Sequence, residues 1–311
     1  MSTSQRIIAT YLIETPHPPA FAAEVMAGEQ STGTFLRVPG ETDELRAAHG
    51  ARIESLEDLG PVDKPSLPGS KAPKGTSNPT YRRARVVLSF PIENMGPSLP
   101  NLVATVMGNL FELREFSGLK LMDLELPEAF RQAYLGPQFG TAGTRKLTGV
   151  SGRPVIGTII KPSVGLRPEQ TAELVRTLCD AGLDFIKDDE LMANGPHSPL
   201  AKRVEAVMRV VNDHADKTGK KVMVAFNITD EIDQMLRHHD TVLAAGGTCI
   251  MLSLNSVGLA ATAYVRRHSQ LPIHGHRNGW GMLTRSPLLG IDFMAYQKLQ
   301  RIAGVDHLHC N

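Results

Sequence analysis

The chain has 311 residues, 41% hydrophobic and 21% charged, with 33 Lys and Arg against 32 Asp and Glu and a formal net charge of +1. This composition excludes a disordered chain, a coiled coil and a collagen-like fibre, and it supplies enough apolar residues for a sizeable core. The charge balance leaves no basic stripe for nucleic acid, so an anionic ligand has to be met by a few placed cations.

Residues 7–12 read as a strand, and residues 19–26 as a short helix with proline early, where its missing N–H costs nothing. Residues 33–38, 85–90 and 102–107 read as further strands, which makes the N-terminal part α+β. Residues 61–80 are dense in Pro, Gly, Ser and Lys and predict a long surface loop. Residues 136–153, again Gly-rich and polar, read as a domain linker.

From there the pattern becomes regular. The short apolar runs are VIGTII (155–160), DFI (184–186), VMVAFNI (222–228), CIMLSL (249–254), LPIHGH (271–276) and HLH (307–309). Between them, Leu174, Leu178 and Gly182 share one helical face, and Leu200, Val204, Val207, Met208 and Val211 share another. Short β-branched runs without alternation are strands buried on both faces of a parallel sheet. A (β/α) barrel and a doubly wound sheet both fit. Polar residues at the ends of most of these runs favour the barrel, whose strands all end at one mouth.

Cys179, Cys249 and Cys310 form no CxxC pair and read as free thiols in a reducing compartment. No run approaches the roughly 18 apolar residues of a membrane span, and the N-terminal apolar run is too short for a secretory signal. The expectation is a soluble cytoplasmic protein.

Chemistry concentrates in Lys187-Asp188-Asp189-Glu190. On a strand, Lys187 and Asp189 face one side and Asp188 the other, while Glu190 stands where the strand gives way to a loop. Two carboxylates beside a lysine suit a hard divalent cation, because Mg²⁺ prefers oxygen ligands. A lysine amine joins such a set only after its neutral form adds CO₂ as a carbamate. The same run also fits a solvated strand tip. Lys161 follows an apolar run, where burial and nearby cations are expected to lower its pKa and fit it for proton transfer. A snorkelling lysine is the alternative. His276-Arg277 joins an imidazole to a fork suited to phosphate, and zinc is an alternative for the pair His274 and His276.

GTIIKP, DFIKDDE, HGHR and GVDHLH, in that order, resemble the large subunit of ribulose bisphosphate carboxylase (RuBisCO). GEQSTGTF, MGNLF, LKLMDLELPEAF and GPQFG extend the likeness over nearly the whole chain. The resemblance implies a ferredoxin-like α+β domain over residues 1–140. It implies a TIM-type (β/α)₈ barrel over 141–311, incomplete, with about six of its strands. It implies that a carbamylated Lys187, Asp189 and Glu190 hold Mg²⁺, that Lys161 handles protons during enolisation, and that His276 contacts substrate. Arg277 and His309 match residues that hold one phosphate. Glu29, Thr34 and Asn109 match residues lent by a partner subunit, which implies a homodimer with shared active sites.

The departures narrow the reading. Ser163 stands where the carboxylases carry a second lysine, Phe35 where they have tryptophan, and Trp280 where they have histidine. Cys310-Asn311 replaces the small residues expected after His309. An indole at the barrel mouth is expected to leave less room for a second phosphate. The pattern resembles a RuBisCO-like, non-carboxylating protein. It implies a lyase or isomerase that forms an enolate from a phosphorylated keto-sugar or a 3-oxo sugar acid phosphate. The family's loop after strand six and its last two strands do not appear, so the chain is expected to be C-terminally incomplete. The alternatives are an authentic carboxylase, against which Ser163 and Trp280 argue, and an inactive fragment or interaction protein.

Overall fold

The computed structural model describes residues 5–33 and 38–310. In chain order the elements are β1 (Arg6–Thr15), α1 (Pro19–Glu29), α2 (Asp43–His49), β2 (Arg52–Val62), β3 (Tyr81–Pro91), α3 (Leu99–Val106), β4 (Gly118–Glu125) and α4 (Glu128–Ala133). Then follow α5 (Gly140–Thr148), β5 (Gly157–Ile159), α6 (Pro168–Asp180), β6 (Phe185–Lys187), α7 (Leu200–Thr218), β7 (Met223–Asn227), α8 (Ile232–Ala244) and β8 (Cys249–Ser253). The last are α9 (Leu254–His268), β9 (Ile273–His276), α10 (Trp280–Thr284), β10 (Leu289–Ile291), α11 (Phe293–Ala303) and β11 (His307–Leu308). Among the described residues, no helix is long and apolar enough to cross a membrane. The chain divides into two compact units, Met1–Ala133 with Trp280–Leu299, and Tyr134–Gly279 with Gln300–Asn311.

The first unit is built on a five-stranded sheet in the order β10-β4-β1-β3-β2. In β1, Ile7, Ala9, Tyr11 and Ile13 are buried and alternate with partly exposed residues, the pattern of a sheet covered on one face. Residues 102–107, expected as a strand, form most of the helix α3 and its C-cap, Met107. The Ser98 hydroxyl accepts from the Asn101 amide at 3.4 Å, Pro100 sits in the first turn, and Leu99, Leu102 and Val106 line the buried face. That is a capped helix with helical apolar spacing, which a short apolar run conceals. The strand expected over 33–38 falls largely on Thr34–Arg37, outside the described residues. Strand β2 went unanticipated because it is an edge strand exposed on both faces and so shows no alternation. Residues 280–299 join this unit: β10 runs parallel to β4 with Leu289 opposite Leu119. Lys120 Nζ donates to the carbonyls of Thr284 and Ser286, each at 2.9 Å.

The second unit holds six parallel strands in the order β11-β9-β8-β7-β6-β5. One face, with Ile186, Val224, Phe226, Ile250, Leu252 and Ile273, packs on the helices. From α7 it receives Val204, Val207, Met208 and Val211, the stripe expected from the sequence. The other face curls in on itself. Neighbouring strands lie about 4.8 Å apart, so β6 and β9, three places apart, would be about 14 Å apart in a flat sheet. Yet the rings of Phe185 and His274 are 5.2 Å apart. The sheet is therefore an arc of a barrel, with its chemistry-bearing residues on the concave side.

The expected linker over 136–153 contains the helix α5 instead. The amides of Phe139 and Gly140 donate to the Asp306 carboxylate at 2.6 and 2.9 Å, so a residue distant in sequence anchors the start of this helix. The same buried carboxylate accepts from Arg266 at 3.1 Å and from the Ile273 amide at 2.9 Å.

Candidate active site

Lys187 is the last residue of β6 and points into the concave side beside Ala225 of β7, with 3% of its surface exposed. Its Nζ donates to the Asp188 carbonyl at 2.7 Å. Burial pushes the ammonium below the usual lysine range, although Asp189, Glu190 and Asp188 pull the other way. Asp189 is buried at the strand tip. Its Oδ2 accepts from Lys161 Nζ at 2.6 Å, and its Oδ1 accepts from the Leu191 amide at 3.1 Å. Burial opposes its ionisation, but these donors prevail and its pKa lies below the usual aspartate value. Glu190 follows directly, and its Oε2 lies 3.8 Å from His276 Nε2.

Lys161 differs from the expectation of a lowered pKa. Its side chain is 62% exposed and pairs with Asp189, and its Nζ also donates to Ser163 Oγ at 2.8 Å. The hydrogen bond to Asp189 holds it above the ordinary lysine value. The amine reaches out of the apolar strand to a carboxylate, so the pairing outweighs the burial.

Asp188 points to the opposite face, as strand alternation requires. It accepts from Arg203 Nη2 at 3.1 Å and from the Asn227 amide at 3.0 Å, and its burial raises its pKa. Asn227, at the end of β7, turns its side-chain amide onto the carbonyls of Asp189 and Glu190 at 3.3 and 3.0 Å.

Strands β9 and β11 add two layers of imidazoles. At the mouth, the rings of His276 and His309 lie 5.1 Å apart, and His276 Nε2 is 3.8 Å from Glu190 Oε2. Burial and then the Lys187 charge push His276 down to about 4, and the same two causes lower His309. Beneath them, His274 and His307 lie 5.9 Å apart against Phe185. His274 is buried with neither ring nitrogen hydrogen-bonded, and burial pushes its pKa well below the usual histidine value. His307 bonds the Thr144 hydroxyl. Arg277 directly follows β9, where Asn255 Nδ2 donates to its carbonyl at 3.4 Å.

Lys161, Lys187, Asp189, Glu190, His276 and His309 thus gather at one end of the strands of the second unit. In the first unit, Asn109 Nδ2 and Glu29 Oε1 are 3.5 Å apart, while Thr34 lies outside the described residues. Trp280 is not an open indole at a mouth: it is 4% exposed, with ring centroids 4.5 Å from Tyr296 and 5.7 Å from Phe293. The zinc alternative for His274 and His276 finds no third ligand among the described residues. Among the described residues, the group of three that could hold a metal is His239, Asp240 and His268.

Sequence reasoning missed Arg203. A charged residue on an amphipathic helix reads as solvated, yet Arg203 falls on the apolar stripe with Leu200, Val204 and Val207, and that placement was the available signal. The donor set fits Mg²⁺ with a carbamate. Asp189 and Glu190 bring adjacent carboxylates to the strand tip, oxygen donors of the kind Mg²⁺ prefers, and burial shifts the Lys187 amine toward the neutral form that adds CO₂.

The family model for the ribulose bisphosphate carboxylase large chain, catalytic domain, matches residues 140–311, and the model for its N-terminal domain matches residues 76–130. The chain is 59% identical over 308 residues to the 3-oxo-isoapionate-4-phosphate transcarboxylase/hydrolase of Xanthobacter autotrophicus, covering 99% of this chain and 73% of that one. It is 47% identical over 306 residues to the 3-oxo-isoapionate-4-phosphate decarboxylase of Rhizobium etli, covering 98% of this chain and 72% of that one. Among solved structures, a rubisco-like protein from Burkholderia fungorum superposes with a TM-score of 0.90 at 49% identity, over 98% of this chain and 72% of the other.

Proposed function

The chain belongs to the RuBisCO large-chain family, and from that premise we propose that it acts on a phosphorylated 3-oxo sugar acid, 3-oxo-isoapionate 4-phosphate or a near analogue. It breaks a carbon–carbon bond beside the keto group and holds the electrons as an enolate. The observation that carries this reading is the cluster of two lysines, two carboxylates and two neutral imidazoles in a chain 59% identical to an enzyme named for that substrate.

When CO₂ leaves a 3-oxo acid, the electrons of the broken bond move to the keto oxygen, and a proton must then reach the carbon that lost the carboxylate. Lys161 fits that donor role at Nζ, because Asp189 keeps it an ammonium. His276 and His309 are neutral near pH 7, so they hydrogen-bond substrate oxygens without adding charge. Arg277 offers a guanidinium to the phosphate. The neutral fraction of Lys187 adds CO₂ with formation of an N–C bond and loss of a proton, which turns the amine into an oxygen donor. Carbamylated Lys187, Asp189 and Glu190 would then hold Mg²⁺. Bound there, Mg²⁺ supplies a Lewis acid for the charge that develops on the keto oxygen. Glu29, Thr34 and Asn109 complete the site of a second copy, which makes the working form a homodimer.

The test is incubation of the full chain with 3-oxo-isoapionate 4-phosphate, Mg²⁺ and bicarbonate, with products followed by ¹³C NMR. Release of CO₂ supports decarboxylation. Two acids in place of CO₂ support the transcarboxylase/hydrolase branch, which the higher identity favours. Absence of any Mg²⁺-dependent turnover refutes the proposal. Light scattering that shows an active monomer refutes the shared site.

A further inference from the structure

Arg203 is a cation on a stripe that otherwise carries apolar residues, and 0% of its surface is exposed. Burying a guanidinium is costly unless it is paired and hydrogen-bonded; among the described residues Nε finds no partner, so the two Nη groups show what the cost supports. Nη2 donates to Asp188 Oδ2 at 3.1 Å and to the Met192 carbonyl at 2.9 Å. Nη1 donates to the carbonyls of Ser198 at 2.8 Å and Ala193 at 3.3 Å. All four acceptors lie on the segment that leads from β6 into α7, and Asp189 and Glu190 open that segment.

The network continues on the far side of Asp188. The same Oδ2 accepts from the Asn227 amide at 3.0 Å, and the Asn227 side chain reaches the Asp189 and Glu190 carbonyls. The backbone of both carboxylate residues is therefore held by Asn227, while Arg203 fixes Asp188 just before them and the Met192 and Ala193 carbonyls just after. Arg203 pairs with Asp188, which faces away from the mouth, and leaves the Asp189 carboxylate to the mouth, where Lys161 meets it. Arg203 itself touches nothing at the mouth. We propose that Arg203 is a positioning residue for a divalent cation: through Asp188 and Asn227 it presents the Asp189 and Glu190 carboxylates together.

The proposal rests on the cation site of the proposed function, and the test separates the two. Mn²⁺ binding to the full chain, under saturating CO₂, is titrated by the electron paramagnetic resonance signal of the free ion. Arg203→Lys keeps the charge but cannot reach four acceptors. Asn227→Ser leaves the buried ion pair intact and removes the amide that holds the two carbonyls, so it tests the network even if the arginine variant does not fold. The expected result is Mn²⁺ binding weaker by about 10- to 100-fold in each folded variant, as for other groups that orient metal ligands. At saturating cation, kcat and the substrate KM return toward wild type, which a merely structural defect does not do. Folded variants that bind Mn²⁺ as tightly as wild type overturn the proposal while leaving the proposed function in place. A wild-type chain that binds no Mn²⁺ overturns both.

Discussion

Replacing Lys187 by methionine is expected to stabilise the protein while abolishing its activity. Lys187 is almost fully buried, and burial pushes its ammonium below the usual lysine range despite three nearby carboxylates. Its folded-state pKa lies below the unfolded value of about 10.4, so the folded chain binds this proton less readily than the unfolded chain. The cost to stability is complete at pH values below the lowered pKa and fades as the pH climbs toward about 10.4. Methionine fills a similar unbranched volume without charge. Lys187 Nζ bonds a backbone carbonyl, and replacing buried charge by apolar groups yields about 1–4 kcal/mol where no ion pair is broken. At about 2.1 cal/mol/K of unfolding entropy per residue, each kcal/mol moves the melting temperature of a 311-residue chain by about 1.5 °C. The assay is scanning calorimetry of both proteins between neutral pH and the lysine range, in CO₂-free buffer with chelator, so that the amine stays unmodified. The variant should melt higher at neutral pH, and the gap should narrow as the pH rises. It should also lose turnover and any CO₂ dependence of Mn²⁺ binding. A variant that melts several degrees below wild type at neutral pH, or a gap that widens with pH, refutes the reasoning.

Lys161→Met should leave the fold intact and lower turnover by about 10²- to 10⁴-fold, the usual worth of a positioned proton donor, as steady-state assays would read. Glu14 is buried, and its carboxylate accepts from the Ser66 amide at 2.6 Å, the Ser66 and Ser117 hydroxyls at 2.8 Å each and Arg83 at 3.0 Å. Burial opposes its ionisation, but these donors win and its pKa is lowered, so its stabilisation is present above the unfolded value of about 4.3 and disappears as the pH falls through the lowered one. Glu14→Gln should therefore cost about 1–3 kcal/mol in urea unfolding at neutral pH, with the difference closing on acidification. Phe226→Ala should cost about 3–5 kcal/mol in the same measurement, because the ring is fully buried where β7 packs on the helices. Ribulose bisphosphate with labelled CO₂ should yield no 3-phosphoglycerate, and turnover on the order of 1 per second would reverse the reading of Ser163.

The second unit was the more legible part of the fold. Strands buried on both faces make unbroken apolar runs, and each run read from the sequence overlaps one strand of the parallel sheet. The first unit hid more. Residues 102–107 carry enough apolar side chains to resemble a strand, and the decisive signals, the Ser98 cap and Pro100, lie just before the run. Strand β2 buries almost nothing, so no periodicity marks it. Helix α5 depends on Asp306, which is 166 residues from Gly140, and no local pattern records that partner.

The residues of the candidate site could be picked out because a parallel strand that ends in charge breaks its own apolar pattern. Their charge states could not, and the two lysines show why. Lys161 and Lys187 stand at the ends of neighbouring strands, paired with Ile159 opposite Lys187. As letters they are equivalent. Lys187 stays on the concave side and loses its water, so its pKa falls; Lys161 extends past the strand into contact with Asp189, so its pKa rises. A difference of a few ångströms in reach decides the sign, and it depends on which strand carries the carboxylate. The consequence is a division of labour within the proposed reaction. A neutral amine is what CO₂ requires, and an ammonium is what a newly formed carbanion requires. Exchanging the two environments would shift each lysine toward the protonation state the other task needs. The Asp189 carboxylate raises the pKa of one lysine while burial lowers that of the other, and the two shifts favour the two tasks at one pH.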